Sequence, residues 1–169
     1  ATTHVAQRLV SAGLVPAAGP GVMPKNEAAP RLADVTDGLS NTVLLAESAG
    51  RPQVYRGRTA YGSPPSARVN GGGWARAATA FSLEGSSEDG SVFPGPCGIN
   101  CTNGEDVTAY PDPYYGTNGS GAIYSFHTGG ANAVFADGSV HFLNQGIPIA
   151  TLAALITRGG GEVTPGSDY

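Results

Sequence analysis

The chain has 169 residues, of which 13% are charged, and a formal net charge of −4. That length suits one domain with a core of its own, and the acidic balance excludes non-specific nucleic-acid binding. The 26 glycines and 13 prolines are about twice the usual share; they exclude a helical bundle and point to short strands and long ordered loops in an extracellular setting.

No apolar run reaches the ~18 residues of a membrane span. Neither a signal peptide nor a lipidation signal is visible. The chain opens Ala1-Thr-Thr-His4 without Met, as a processed or excised form does.

Residues 1–15 carry Val5, Leu9 and Val10 among Ala6, Ala12 and Leu14, a helical lead-in that Gly13 and Pro16 end. Residues 16–30 read as loop. Within 31–48, Asp34 caps a short turn, Asp37-Gly38 turns the chain, and Thr42 to Ala46 forms a buried strand. Residues 50–73 hold Arg51, Arg56, Arg58 and Arg68 and read as a solvated loop or, alternatively, an anion or partner surface. Gly71-Gly72-Gly73 bends the chain before Trp74 or brings backbone close to a ligand.

Residues 82–121 show little periodicity. They include Cys97 and Cys101, the acidic pair Glu105 and Asp106, and the run Tyr110-Pro-Asp-Pro-Tyr-Tyr115. A segment of ~40 residues without regular elements is uncommon in a compact domain. It reads as an ordered excursion pinned by a Cys97–Cys101 disulfide. A metal site would need further soft or imidazole ligands, and the chain has 3 His. The Cys-x-x-x-Cys spacing also departs from the redox motif.

In Ala131-Asn-Ala-Val-Phe-Ala-Asp-Gly-Ser-Val-His-Phe-Leu143, two apolar runs flank Asp137-Gly138, which predicts a two-residue hairpin turn. That register sets Ala136 opposite Ser139, Phe135 opposite Val140, Val134 opposite His141 and Ala133 opposite Phe142. Phe135, Val140, Ala133 and Phe142 would then share the core face, with Val134 and His141 on the other. Pro148 opens a helix through Thr157, with Leu152, Leu155 and Ile156 as its apolar stripe. Arg158 suits the helix dipole and Gly159 the C′ position. Residues 160–169 form a polar tail.

Several segments together resemble one family. Phe126-His-Thr-Gly-Gly-Ala-Asn-Ala-Val-Phe-Ala-Asp-Gly138 fits a His-x9-Asp-Gly motif, and Asp37-Gly-Leu-Ser-Asn-Thr-Val-Leu-Leu-Ala-Glu47 looks like a second signature of the same group. Phe93 to Thr102 and Leu152 to Val163 are similar to its other recurrent blocks. The family is the bacterial prepilin-like proteins of unknown function abundant in planctomycetes. The resemblance implies an exported protein, like a type II secretion pseudopilin or type IV pilin. Its head would be α+β, with an antiparallel sheet, a C-terminal helix and long ordered loops. The family's apolar N-terminal helix, its link to membrane and filament, is missing from this sequence. Residues 1–169 therefore read as a single globular head. Its expected partners are other pilin-like or cell-surface proteins, and polysaccharide is a further option.

The candidate catalytic residues are His127, His141, Asp137 and Glu47. His127 would act as ligand or base, or else bond loop backbone while Asp137 and Gly138 simply make the turn. His141 with a carboxylate suits a divalent metal. Asp34, Asp37 and Asn41 offer oxygens for calcium, though their spacing is not that of an EF-hand, and Asx-turn bonding explains them equally. Glycoside hydrolysis needs two paired carboxylates, and nothing in the spacing of Glu47, Glu84, Glu105, Asp106 and Asp137 pairs them. No nucleophile elbow or phosphate loop occurs. Trp74, Tyr110, Tyr114 and Tyr115 would stack on sugars or pack internally. The leading reading is a non-enzymatic surface protein; the alternatives are an extracellular carbohydrate hydrolase and a glycan-binding module.

Overall fold

A computed structural model describes residues 2–24, 27–28, 30–73, 80–108 and 121–162. The fold is α+β, with small, mostly antiparallel sheets and a C-terminal helix. Strand β1 (Thr2–Val5) leads into the short helix α1 (Gln7–Ser11), followed by β2 (Gly19–Pro20). Then come β3 (Val43–Ala46), β4 (Val54–Arg56), β5 (Thr59–Tyr61), β6 (Phe81–Leu83), β7 (Gly130–Phe135), β8 (Val140–Asn144) and α2 (Ile149–Ile156). The sheet orders are β2-β1-β6, β3-β7-β8 and β4-β5. β1 and β6 run parallel, and the other ladders are antiparallel.

The lead-in departs from the helical reading. Thr3 and Val5 are buried while His4 is exposed, a period of two that suits a strand. Thr3 Oγ1 donates to the Phe81 carbonyl at 2.8 Å and fixes this strand on β6. Only Gln7–Ser11 is helical, with Leu9 as its buried anchor.

The main core lies between the inner face of β3-β7-β8 and α2. Val43, Ala131, Ala133, Phe135 and Leu143 meet Leu152, Leu155 and Ile156, with Val5, Phe81 and Ile99 completing the cluster. Helix α2 begins after Pro148, and its buried stripe is the expected one. Its C-terminal end differs from expectation. Thr157 leaves the helix in an extended conformation, so the turn is made before Gly159 and no glycine C′ cap forms. Arg158 works as a strap instead, donating its N–H to the Pro20 carbonyl at 3.1 Å and accepting from the Thr36 N–H at 2.8 Å.

Residues 50–73 are not a solvated loop. Strands β4 and β5 form a hairpin, and Val54, Ala67 and Val69 make a satellite core. Arg51 and Arg68 are buried. The Arg51 guanidinium donates to Ser48 Oγ at 3.0 Å and to the Asn70 carbonyl at 3.2 Å. Burial lowers its pKa to about 10. Gly121 permits this packing, since a Cβ there would collide with the guanidinium.

The described part of 82–121 is woven into the core rather than excluded from it. Bridges join Ser86 to Cys97, Ile99 to Ile123 and Gly104 to Gly121. The Cys97–Cys101 disulfide is present, with its Cα atoms 6.2 Å apart. Gly98, inside that small loop, lies against Leu152 and Ile149 of α2. Trp74, Tyr110, Tyr114 and Tyr115 lie outside the described residues, as does the tail from 163 on.

Candidate functional site

The two signature segments are neighbouring strands of one ladder. β3 pairs antiparallel with β7, setting Val43 against Phe135 and Ala46 against Ala133. β7 then folds back onto β8. The motif residues sit at the two ends of β7.

At the turn end, the Gly138 N–H donates to the Phe135 carbonyl at 3.0 Å, and the Phe135 N–H donates to the Ser139 carbonyl at 2.9 Å. Gly138 has φ +89°. These are the bonds of a three-residue loop, a type I turn closed by a left-handed glycine. The expected two-residue loop is therefore corrected by one position. Val134 faces Val140, Ala133 faces His141, and Asn132 faces Phe142. The physical reason lies in the segment just before β3: the Ala136 N–H donates to the Thr42 carbonyl at 2.8 Å and the Asp137 N–H to that of Leu39 at 3.1 Å. Ala136 is thus claimed by the other neighbour and cannot pair with Ser139.

The slip exchanges the faces of β8. Leu143 is buried, whereas Val140 and Phe142 are 64% and 47% exposed. His141 joins the Phe135 side, its ring 4.6 Å from the phenyl centroid and edge-on to it. The Asp137 carboxylate accepts from the Ser139 N–H at 2.9 Å and from Ser139 Oγ at 2.7 Å. That hydroxyl also lies 2.9 Å from His141 Nε2. The Ser139 side-chain and backbone bonds hold the Asp137 carboxyl below its ordinary pKa.

At the opposite end, Glu47 is the organising side chain. It accepts the Asn132 N–H at 2.8 Å and the Asn132 side-chain amide at 3.1 Å. His127 Nε2 lies 3.3 Å from the same carboxylate, with the imidazole 59% exposed. The His127 N–H donates to Ser125 Oγ at 3.1 Å, and that hydroxyl donates to the Gly130 carbonyl at 2.6 Å. Arg58 reaches across from the β4–β5 hairpin. It donates to the carbonyls of Phe126 and His127 at 2.9 and 2.8 Å. Tyr55, Tyr124 and Phe126 cluster beside it, with centroids 5.2–5.8 Å apart. Burial raises the Tyr124 phenol, whose hydroxyl donates to the Gly57 carbonyl at 2.8 Å.

The structure therefore joins His127 to Glu47, and His141 to Asp137 through Ser139. It separates His127 from Asp137 by the length of β7, about 20 Å for six residues. The three oxygen-bearing residues proposed for calcium have different partners. Asp34 accepts from the Arg31 N–H at 2.7 Å and pairs with its guanidinium at 3.2 Å. Those backbone and side-chain bonds lower its pKa. Asp37 accepts the N–H groups of Gly160 and Gly161 at 2.7 and 2.9 Å. Asn41 donates to the Asp37 carbonyl at 3.1 Å. Among the described residues, no three His, Cys, Asp or Glu gather where a metal ion would fit.

Three contributors have no motif to mark them. Arg58 looked like one more loop cation. Asn100, at φ +64°, accepts the Ser125 N–H at 2.8 Å and donates to the Gly130 carbonyl at 3.0 Å. Asn103, fully buried, donates to the carbonyls of Ala49 and Gln53 and accepts the Tyr55 N–H at 2.9 Å. The signal for Asn100 was its place in Gly-Ile-Asn-Cys, where a left-handed residue suits a tight loop.

A family profile bearing the short name SBP_bac_10, described as "Protein of unknown function (DUF1559)", matches residues 7–149. The chain belongs to that family. In this DUF1559 chain the match takes in both signature segments and β3, β7 and β8, and it ends where α2 begins. Comparisons with curated proteins and with solved structures gave no match.

Proposed function

We propose that this DUF1559 chain is the globular head of an exported, pseudopilin-like surface protein that works through protein contacts rather than turnover. One observation carries the reading. His127, Glu47, Asp137 and Asp37 are all engaged in bonds that hold β3, β7, β8 and the end of α2 together. Side chains so engaged position a scaffold. The Cys97–Cys101 disulfide supports an oxidising, exported setting.

Protease treatment of intact cells of the producing bacterium tests the reading. An epitope-tagged head on the surface is cleaved before lysis; a head cleaved only after lysis contradicts it. A second reading, an extracellular carbohydrate hydrolase, draws on the half-exposed His127 beside Glu47 and on Phe126, 52% exposed next to it. Turnover on a glycan panel that His127→Ala abolishes at an unchanged melting temperature would favour the hydrolase. A lower melting temperature, with no turnover in either protein, favours the scaffold.

A further inference from the structure

Among the described residues, strand β8 is the outer strand of its sheet, with β7 as its ladder partner. The Phe135 N–H to Ser139 carbonyl bond fixes the phase of the ladder. Bonded and non-bonded pairs alternate along an antiparallel pair, so His141 and Leu143 direct their backbone groups toward β7. The N–H and C=O groups of Val140, Phe142 and Asn144 then point to the open edge.

Sheet edges are normally protected by charge, proline or a bulge. Here residues 138–147 contain no Lys, Arg, Asp, Glu or Pro. The ladder to β7 runs without a register shift over Val140–Asn144. The contrast within the molecule is informative. The end of β3 is covered by the Ser48–Tyr124 bridge, and β5 is entered through Arg58. β5 also exposes Tyr61, at 44%, but the Arg56 guanidinium lies over that ring at 3.6 Å. Among the described residues, the β8 edge instead carries two large apolar side chains, Val140 and Phe142, at 64% and 47% exposure, in line with Leu45 at 40%.

We infer that β8 pairs antiparallel with β8 of a second copy, about a two-fold axis at Phe142, to give a six-stranded sheet across two molecules. The strand is self-complementary in this register. Phe142 faces Phe142 of the copy, and Val140 faces Asn144. His141 and Leu143 stay on the inner face. No charge meets a like charge, because the strand has none. The exposed row of Leu45, Val140 and Phe142 becomes continuous across the axis, and aromatic pairs across strands add to the ladder. Pairing consumes the one open β8 edge of each molecule, so assembly stops at two.

A five-residue ladder buries less than the ~1,200 Å² of a stable interface. The dimer is accordingly concentration-dependent, and it strengthens when heads are held side by side on a surface. This inference is independent of the export reading and concerns the purified chain.

The test is sedimentation of the 169-residue protein from about 1 µM to about 1 mM, together with disulfide trapping. The expected result is a monomer–dimer equilibrium. Phe142→Cys should cross-link under mild oxidation at least about tenfold faster than the exposed control Val92→Cys, because the pairing brings two Cα atoms to about 5.5 Å. Val140→Cys mixed with Asn144→Cys should cross-link faster than either alone. Phe142→Lys and Val140→Lys, both at exposed positions, should abolish the dimer at an unchanged melting temperature. A protein monomeric throughout, open-ended aggregation, or Phe142→Cys cross-linking no faster than the control would each overturn the inference.

Discussion

The two ends of β7 are secured by different means. At the turn end the side-chain bonds of Asp137 to Ser139 and of Ser139 to His141 are local, each spanning two residues. At the other end Glu47 and Asn132 lie 85 residues apart. A local lock forms with the hairpin itself. A distant lock forms only after β3 has docked, because closing a long loop costs entropy before contacts repay it. The local bonds shape the three-residue loop, whose register is chosen together with Thr42 and Leu39, while Glu47 ties the end of β3 to β7 at the other end.

The comparison is broken most severely from beneath. Phe135→Ala removes a fully buried ring at the turn end of β7, against which His141 packs, and is expected to cost about 3–5 kcal/mol. Denaturant unfolding measures it; a loss below about 1 kcal/mol would remove Phe135 from the core. Next comes Glu47→Ala, which strands the N–H and side-chain amide of Asn132. The expected cost is about 1–3 kcal/mol, with faster hydrogen exchange at Asn132 and unchanged exchange at Ser139. Equal acceleration at both positions would mean that the two locks are one.

Gly138→Ala places a Cβ on a left-handed residue with open space around it, so only backbone strain is charged, about 1–2 kcal/mol. Thermal melting reads it, and an unchanged midpoint would argue against the three-residue loop. The smallest effect is the pH dependence of Asp137. Its folded-state pKa is lowered by the Ser139 bonds. The stability it contributes is present above the ordinary carboxylate value, about 3.9, and is lost as pH falls through the lowered folded value. Asp137→Asn should flatten that part of the acid unfolding curve relative to wild type, whereas Glu47→Gln should leave it in place.

The core stripe of α2 was legible because apolar spacing reports burial directly. The strand ending at Ala46 was legible in position but not as a buried one: Val43 faces the core while Leu45 is 40% exposed, which a continuous apolar run conceals. The hairpin was legible in its existence but not in its register. Asp-Gly serves two-residue and three-residue loops alike, and the choice was made by Thr42 and Leu39, partners from the turn before β3, nearly a hundred positions earlier. His127 and Glu47 were each visible as motif residues. Their meeting was not, since spacing within a segment carries no information about which segments pack together. Arg51 and Arg68 failed for a related reason: composition describes a segment's average, while Ser48 and Asn70 supply the bonds that let one guanidinium be buried.

Asn103 has a chemical consequence through its neighbour. It is followed by Gly104, and an asparagine ahead of glycine readily loses its side-chain nitrogen as ammonia when the next backbone nitrogen attacks it. In the native protein that amide is tied to two carbonyls and sealed from water. In an unfolded chain it is not, and the resulting aspartate, an acceptor when ionised, can no longer donate to Ala49 and Gln53. Time spent unfolded thus becomes an irreversible mark that blocks return. Mass spectrometry of heat-aged protein should find the added dalton at this position in the fraction that fails to refold, and not in the fraction that remained native.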